Sequence, residues 1–195
     1  MNYEVIVIGS SWGGFHAVGS ILSGLPSDFE VPLVIAQHQS PSFDGDLGQA
    51  LAKRSALPIG EVNDKTPLER GHVYIAPPDY HTLIDGQGLA LSTDEHVNFS
   101  RPSIDVLFES AADAFGPAVI GVVLTGANRD GADGLARIKA NGGYSIVEDP
   151  KHASQPVMPQ AAIDAAHPHE IALLDQIPVI LIAKTSLGSR QRASS

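Results

Sequence analysis

Apolar residues along this chain follow two rhythms. Short unbroken runs, Val5-Ile6-Val7-Ile8, Leu33-Val34-Ile35-Ala36 and residues 119–124, read as strands buried on both faces. Between them apolar positions recur at helical spacing. The clearest set is Ile104, Leu107, Phe108, Ala111, Ala112 and Phe115, one continuous face behind Ser103 as N-cap. The same spacing predicts helices over 15–25, through Leu135 and Ile138, near 159–165 and near 176–183. A further helix carries Phe43, Leu47, Ala50 and Leu51, capped by Ser42. Residues 144–147 read as another strand. Short strands at 73–76, 82–84 and 89–91 break the alternation, and Asp85-Gly86-Gln87-Gly88 turns the last two into a β-hairpin. The fold expected is α/β: a doubly wound, mostly parallel sheet with helices on both faces, a Rossmann-like three-layer sandwich with an added hairpin. One domain fills residues 1–185; residues 186–195 are polar and aperiodic and read as a flexible tail.

Composition narrows the function. With 43% apolar residues in 195, the chain can bury a full core, while 22 acidic against 12 basic residues leave a net charge of −10. That balance argues against nucleic acid and anionic membranes as partners, since both select cationic surfaces. Cysteine is absent, which removes disulfides, thiolate zinc sites and cysteine nucleophiles together and fits the cytoplasm. No signal peptide heads the sequence, and no apolar run approaches the roughly 18 residues that span a bilayer.

In a doubly wound sheet, ligands bind beyond the carboxyl ends of the strands. Three segments qualify. The first, Gly9-Ser10-Ser11-Trp12-Gly13-Gly14, fails the dinucleotide fingerprint at its third position and lacks the lysine of a P-loop. It satisfies Gly-x-Ser-x-Gly, in which a serine on a sharp strand-to-helix turn projects its hydroxyl and the following N–H groups favour negative charge. The plainer reading is that Ser10 and Ser11 cap the next helix. The second segment ends in Gln37-His38. His38 alone among eight histidines tips a strand expected beside the first. His167-Pro168-His169 has no third ligand at sensible spacing and reads as a surface turn. The third segment, Asn128-Arg129-Asp130-Gly131, offers Asp130 at the strand end, either as a helix N-cap or as the acid that orients an imidazole. Asp133 competes from one turn further on, and the pair lacks the ligand spacing of a calcium loop. Ser11, His38 and Asp130 together make a hydrolase constellation, in an order unlike that of the α/β-hydrolases.

At these residues the chain closely resembles the catalytic domain of the chemotaxis protein-glutamate methylesterases. The resemblance covers about residues 5–183 and rests on Ile8-Gly9-Ser10-Ser11-Trp12-Gly13-Gly14, Gln37-His38, residues 71–77 (GHVYIAP), residues 101–108 (RPSIDVLF), Leu124-Thr125-Gly126, Asp130-Gly131 and Met158-Pro159. It implies Ser11 as nucleophile, His38 as base and Asp130 as acid. The oxyanion would be held by the backbone N–H groups of Trp12 and Ala127, and no cofactor is needed. It also implies hydrolysis of glutamate γ-methyl esters on chemoreceptor cytoplasmic helices, with receptor glutamine deamidation in some members.

At three places the chain departs from the family's usual residues: Trp12 for threonine, Ala127 for methionine, and Gln39-Ser40 for methionine-proline, with Pro41 one place later. They bear on pocket shape and substrate more than on chemistry. Arg101 is a candidate substrate contact, or else pairs with a neighbouring carboxylate. Two other functions remain open at this level, a non-catalytic interaction domain on the same fold and a general small-ester hydrolase. Well-known family members carry a phosphorylatable receiver domain ahead of this one. The length here leaves no room for it, so the expectation is a stand-alone member, active without phosphodonors.

Overall fold

The computed structural model describes residues 2–39 and 47–192, with side chains as far as residue 186. The elements run β1 (Val5–Ser10), α1 (Gly14–Ser23), β2 (Leu33–Gln37), α2 (Leu47–Ala52), β3 (Ile59–Glu61), β4 (Thr66–Pro67) and β5 (Val73–Ile75). There follow β6 (His81–Asp85), β7 (Gly88–Ser92), α3 (Ile104–Phe115), β8 (Val119–Val123) and α4 (Ala132–Ala140). The chain ends with β9 (Tyr144–Glu148), α5 (Val157–Ala166), β10 (Glu170–Ala172) and α6 (Ile177–Arg192).

Seven strands form one sheet in the order β10-β9-β8-β1-β2-β5-β3, and every pairing in it is parallel. The apolar runs explain why. In β1, Ile6 and Ile8 pack with Val18, Ile21 and Leu22 of α1 and Leu181 of α6 on one face. Val5 and Val7 pack with Leu107 and Phe108 of α3 and Ile138 of α4 on the other. These four apolar residues of β1 are fully buried, and each such side chain contributes about 1.5–3 kcal/mol relative to exposure. Helices α1, α2 and α6 therefore cover one face and α3, α4 and α5 the other. Ser103 caps α3 as its sequence predicts, accepting from Val106 N–H. No helix among the described residues is long and apolar enough to cross a membrane.

Several details depart from the sequence reading. The hairpin β6–β7 gains a third antiparallel strand, β4, whose two residues include a proline and carry no alternation. The edge strands β3 and β10 of the parallel sheet are three residues each, too short to show a period. Helix α6 continues through Ser186 to Arg192, into the segment read as a tail. The proposed cap Ser42 and Phe43 lie outside the described residues, as do Ser40 and Pro41.

Candidate active site

The strand order reverses at β1, which has β2 on one side and β8 on the other. Their carboxyl ends are joined beyond the ladder. His38 N–H donates to Ser10 O at 3.0 Å, and Ser11 N–H donates to Thr125 O at 2.9 Å. Buried Gln37 ties the first two ends by its side chain. Its Oε1 accepts from Ser10 Oγ at 2.7 Å, and its Nε2 donates to Ser11 O at 3.0 Å and His38 O at 3.2 Å.

Helix α1 is capped by Gly13, in the left-handed region at φ 82°, with no side-chain cap bond. A Cβ at Gly13 would lie 2.7 Å from Ser154 Cβ, so the turn admits only glycine. Neither serine is therefore the cap. Ser10 is spent on Gln37, while half-exposed Ser11 has no hydrogen-bond partner for its hydroxyl among the described residues. The N–H groups of Trp12 and Ala127 also find no acceptor among them.

Thr125 holds this turn in place. Its Oγ1 donates to Trp12 O at 2.9 Å and accepts from Gln155 N–H at 2.8 Å, and its N–H donates to Glu148 Oε2 at 2.8 Å. Burial pushes the Glu148 carboxyl up, against the lowering effect of that Thr125 bond.

Asp130 does not cap α4 either; Gly131 does, at φ 94°. The fully buried Asp130 carboxylate reaches across to the first turn of α3 instead. Its Oδ2 accepts from His38 Nε2 at 2.8 Å and Ile104 N–H at 2.7 Å. Its Oδ1 accepts from Ser103 Oγ at 2.9 Å, Asp105 N–H at 3.2 Å and Asn98 Nδ2 at 3.2 Å. Asp105 returns the exchange. From the first turn of α3, its Oδ1 accepts from Gly131 N–H at 2.9 Å and Gly134 N–H at 2.7 Å, at the start of α4. Each helix thus offers its unpaired N–H groups to the other's acid, where the helix dipoles favour negative charge. Asn98 bridges the two acids, its Nδ2 also donating to Asp105 Oδ2 at 2.7 Å.

The two acids titrate in opposite directions. For Asp130, burial works upward, but the bonds from His38 and Ile104 outweigh it and hold the carboxyl below its ordinary value. For Asp105, burial dominates, and with the neighbouring Asp130 charge it overcomes the Gly134 bond and lifts the pKa from 3.8 to about 7. Between those two values the folded protein keeps a proton that the unfolded chain has lost. Asp105's contribution to stability therefore falls as pH rises through that window and is level above it. Asp105→Asn should accordingly cost less at pH 8 than at pH 5, by on the order of 2 kcal/mol, in urea denaturation at the two pH values. Equal costs would show the carboxyl ionised throughout.

Other sequence candidates lie outside this network. Arg101 donates from one guanidinium nitrogen to the carbonyls of Thr93 at 3.0 Å and Asp94 at 3.1 Å, on its own loop. Asp133 is exposed, in a two-pronged pair with Arg129. His169 stacks on Tyr144 and bonds Ser145. Among the described residues no group of three or more His, Asp or Glu stands together as metal ligands. Sequence reasoning gave no role to Gln37, Asn98 or Asp105. Gln37 and Asp105 lie inside the matched segments, but only contacts across the fold reveal what they hold.

A strand-end serine whose hydroxyl, like the N–H groups of Trp12 and Ala127, has no partner among the described residues, and an imidazole turned by a buried carboxylate, form an arrangement suited to acyl transfer. Comparison with known proteins agrees. The chain matches the CheB methylesterase family over residues 6–181. It is 45% identical over 193 residues to a putative protein-glutamate methylesterase/protein-glutamine glutaminase of Leptospira interrogans, covering 98% of this chain and 100% of that protein. It is 40% identical over 176 residues to protein-glutamate methylesterase/protein-glutamine glutaminase 2 of Anaeromyxobacter dehalogenans, covering 90% of this chain but 51% of that one. The crystal structure of the Thermotoga maritima CheB methylesterase catalytic domain superposes with a TM-score of 0.89 at 32% identity, over 94% of this chain and 99% of that one. The chain belongs to the CheB methylesterase family.

Proposed function

We propose that this chain is a serine hydrolase that removes γ-methyl esters from glutamates on the cytoplasmic helices of chemoreceptors, and deamidates glutamines at equivalent positions. One observation carries the reading: the 2.8 Å contact from His38 Nε2 to a fully buried carboxylate, one strand end away from a Ser11 hydroxyl that has no partner among the described residues. Because Asp130 is ionised and only accepts, it holds the proton on Nε2, leaving the Nδ1 lone pair as the base. Nδ1 takes the Ser11 proton as Oγ bonds to the ester carbonyl carbon. The N–H groups of Trp12 and Ala127 receive the oxyanion. As the intermediate collapses, the C–OCH3 bond breaks and the imidazolium returns its proton to methoxide, releasing methanol. Water then attacks the acyl-enzyme with Nδ1 again as base, and glutamate and free Ser11 are restored. With a glutamine substrate, ammonia leaves in place of methanol.

The buried carboxylate would serve an interaction domain too, by tying α3 to the start of α4, but such a domain would have no use for turning His38 Nε2 onto it. The reading is tested by incubating the protein with methylated chemoreceptor fragments, measuring methanol and locating lost methyl groups by site-resolved mass spectrometry. Loss at defined glutamates is expected. Turnover confined to small esters would favour the general hydrolase, since discrimination for a protein comes from contacts remote from the bond cleaved.

A further inference from the structure

Two large aromatic side chains stand out in solvent beside this network. Trp12, the residue after Ser11, is 69% exposed, and Phe99, the residue after Asn98, is 101% exposed. Neither is on a loose backbone. The Trp12 carbonyl is gripped by Thr125 Oγ1. Phe99 sits in a tight turn closed on both sides, Ser100 N–H to Val97 O at 2.9 Å and Val97 N–H to Ser100 O at 3.2 Å. Asn98 pins that turn to both buried acids.

The conformation of that turn is informative. Asn98 and Phe99 have φ of 50° and 61°, both in the left-handed region. Consecutive left-handed residues make the hairpin turn whose favoured pair is Asn-Gly, and a bulky residue there is strained. The chain keeps asparagine at the first position and puts phenylalanine, not glycine, at the second. No contact of the ring among the described residues repays this, since it is fully exposed. Strain retained at a site edge, with an exposed aromatic as its product, is the mark of a contact made with something else.

We propose that Trp12 and Phe99 determine specificity for the protein substrate by gripping an apolar side chain within one helical turn of the modified glutamate. The inference rests on the methylesterase reading above. The occupant follows from size. Aromatic side chains bury roughly 150–250 Å² each, far beyond what an ester methyl covers, so the polypeptide that carries the ester must supply the contact. Rigidly mounted aromatics suit this task, because little conformational freedom is lost on binding.

Trp12 is the single tryptophan of the chain, so its fluorescence reports on this contact directly. In a Ser11→Ala background, titration with a methylated receptor cytoplasmic fragment should shift Trp12 emission to the blue and saturate. Phe99→Gly should weaken that binding by about tenfold or more, the range of a hot-spot aromatic. The same substitution should raise the thermal midpoint, because glycine relaxes the turn; a residue kept for structure would move stability the other way. In the active protein, Phe99→Gly should raise KM for the fragment at least tenfold more than KM for N-acetylglutamate γ-methyl ester. Replacing apolar residues within one turn of the target glutamate by serine should cost a similar factor, with little further loss when combined with Phe99→Gly.

Unchanged fragment binding in Phe99→Gly, equal losses on fragment and small ester, or a Trp12 signal that does not respond would overturn the inference. If fragment binding depends on Phe99 but the wild-type protein releases no methanol, the methylesterase reading fails and the docking contact stands.

Discussion

Replacing Ser11 by alanine is expected to lower methanol release by about 10⁴–10⁶-fold, the range found when the nucleophile of such a unit is removed. Stability should change by less than about 0.5 kcal/mol, as for a surface position without special contacts. The two expectations come from the same observation. Ser11 Oγ bonds to nothing described in the fold, and the N-cap of α1 is Gly13, so deleting the hydroxyl removes no structural bond. What disappears is the atom proposed to attack. Methanol measurements on methylated receptor fragments, alongside thermal unfolding, check both halves. Activity within tenfold of wild type would sink the assignment of the nucleophile, whatever else His38 and Asp130 do.

Asp130→Asn should fail differently, losing about 10⁴-fold in kcat and several kcal/mol of stability together. Five donors converge on this carboxylate: His38 Nε2, Ile104 N–H, Ser103 Oγ, Asp105 N–H and Asn98 Nδ2. An amide offers one oxygen in place of two. If its NH2 faces His38, it moves the imidazole proton to Nδ1 and occupies the nitrogen needed as base, while also opposing Ile104 N–H. Turned the other way, it opposes the donors on the first turn of α3. Buried donors left without acceptors cost about 1–3 kcal/mol each. Steady-state rates with denaturant unfolding on the same samples measure the two losses. A variant as stable as Ser11→Ala would show that the carboxylate does not tie α3 to α4. Activity within tenfold of wild type would show that it does not orient the base.

The sequence made the strand ends legible, and with them Ser11, His38 and Asp130, because a run buried on both faces has a distinct look. The strong helix behind Ser103 was legible for the same reason: its burial is written in the residue spacing. Elements without a period were not. β3 and β10 are three residues long, and β4 is two, one of them a proline; their pairing is set by neighbours in the sheets. In the site, the hidden part was the set of partners. Gln37 reads as an ordinary strand residue until its amide is seen spanning β1 and β2. Asp105 reads as a first-turn acid of α3, whereas its acceptors serve α4. Asn98 belongs to no periodic segment, and only its contacts with both acids give it meaning. Polar roles of this kind depend on residues distant in sequence, and periodicity carries no record of them.

The exchange of acids between α3 and α4 has a consequence for how such a protein can diverge. Under the proposed mechanism Asp130 would serve the reaction with the same bonds that tie α3 to α4, so its surroundings have almost no freedom to vary. Trp12 and Phe99 are largely exposed and belong to neither apolar core cluster, so changing their side chains leaves the described core as it is. If the proposed contact holds, the molecule is a fixed engine behind an interchangeable collar. New substrates could then be adopted by altering the collar alone, at little risk to folding or to the chemistry behind it.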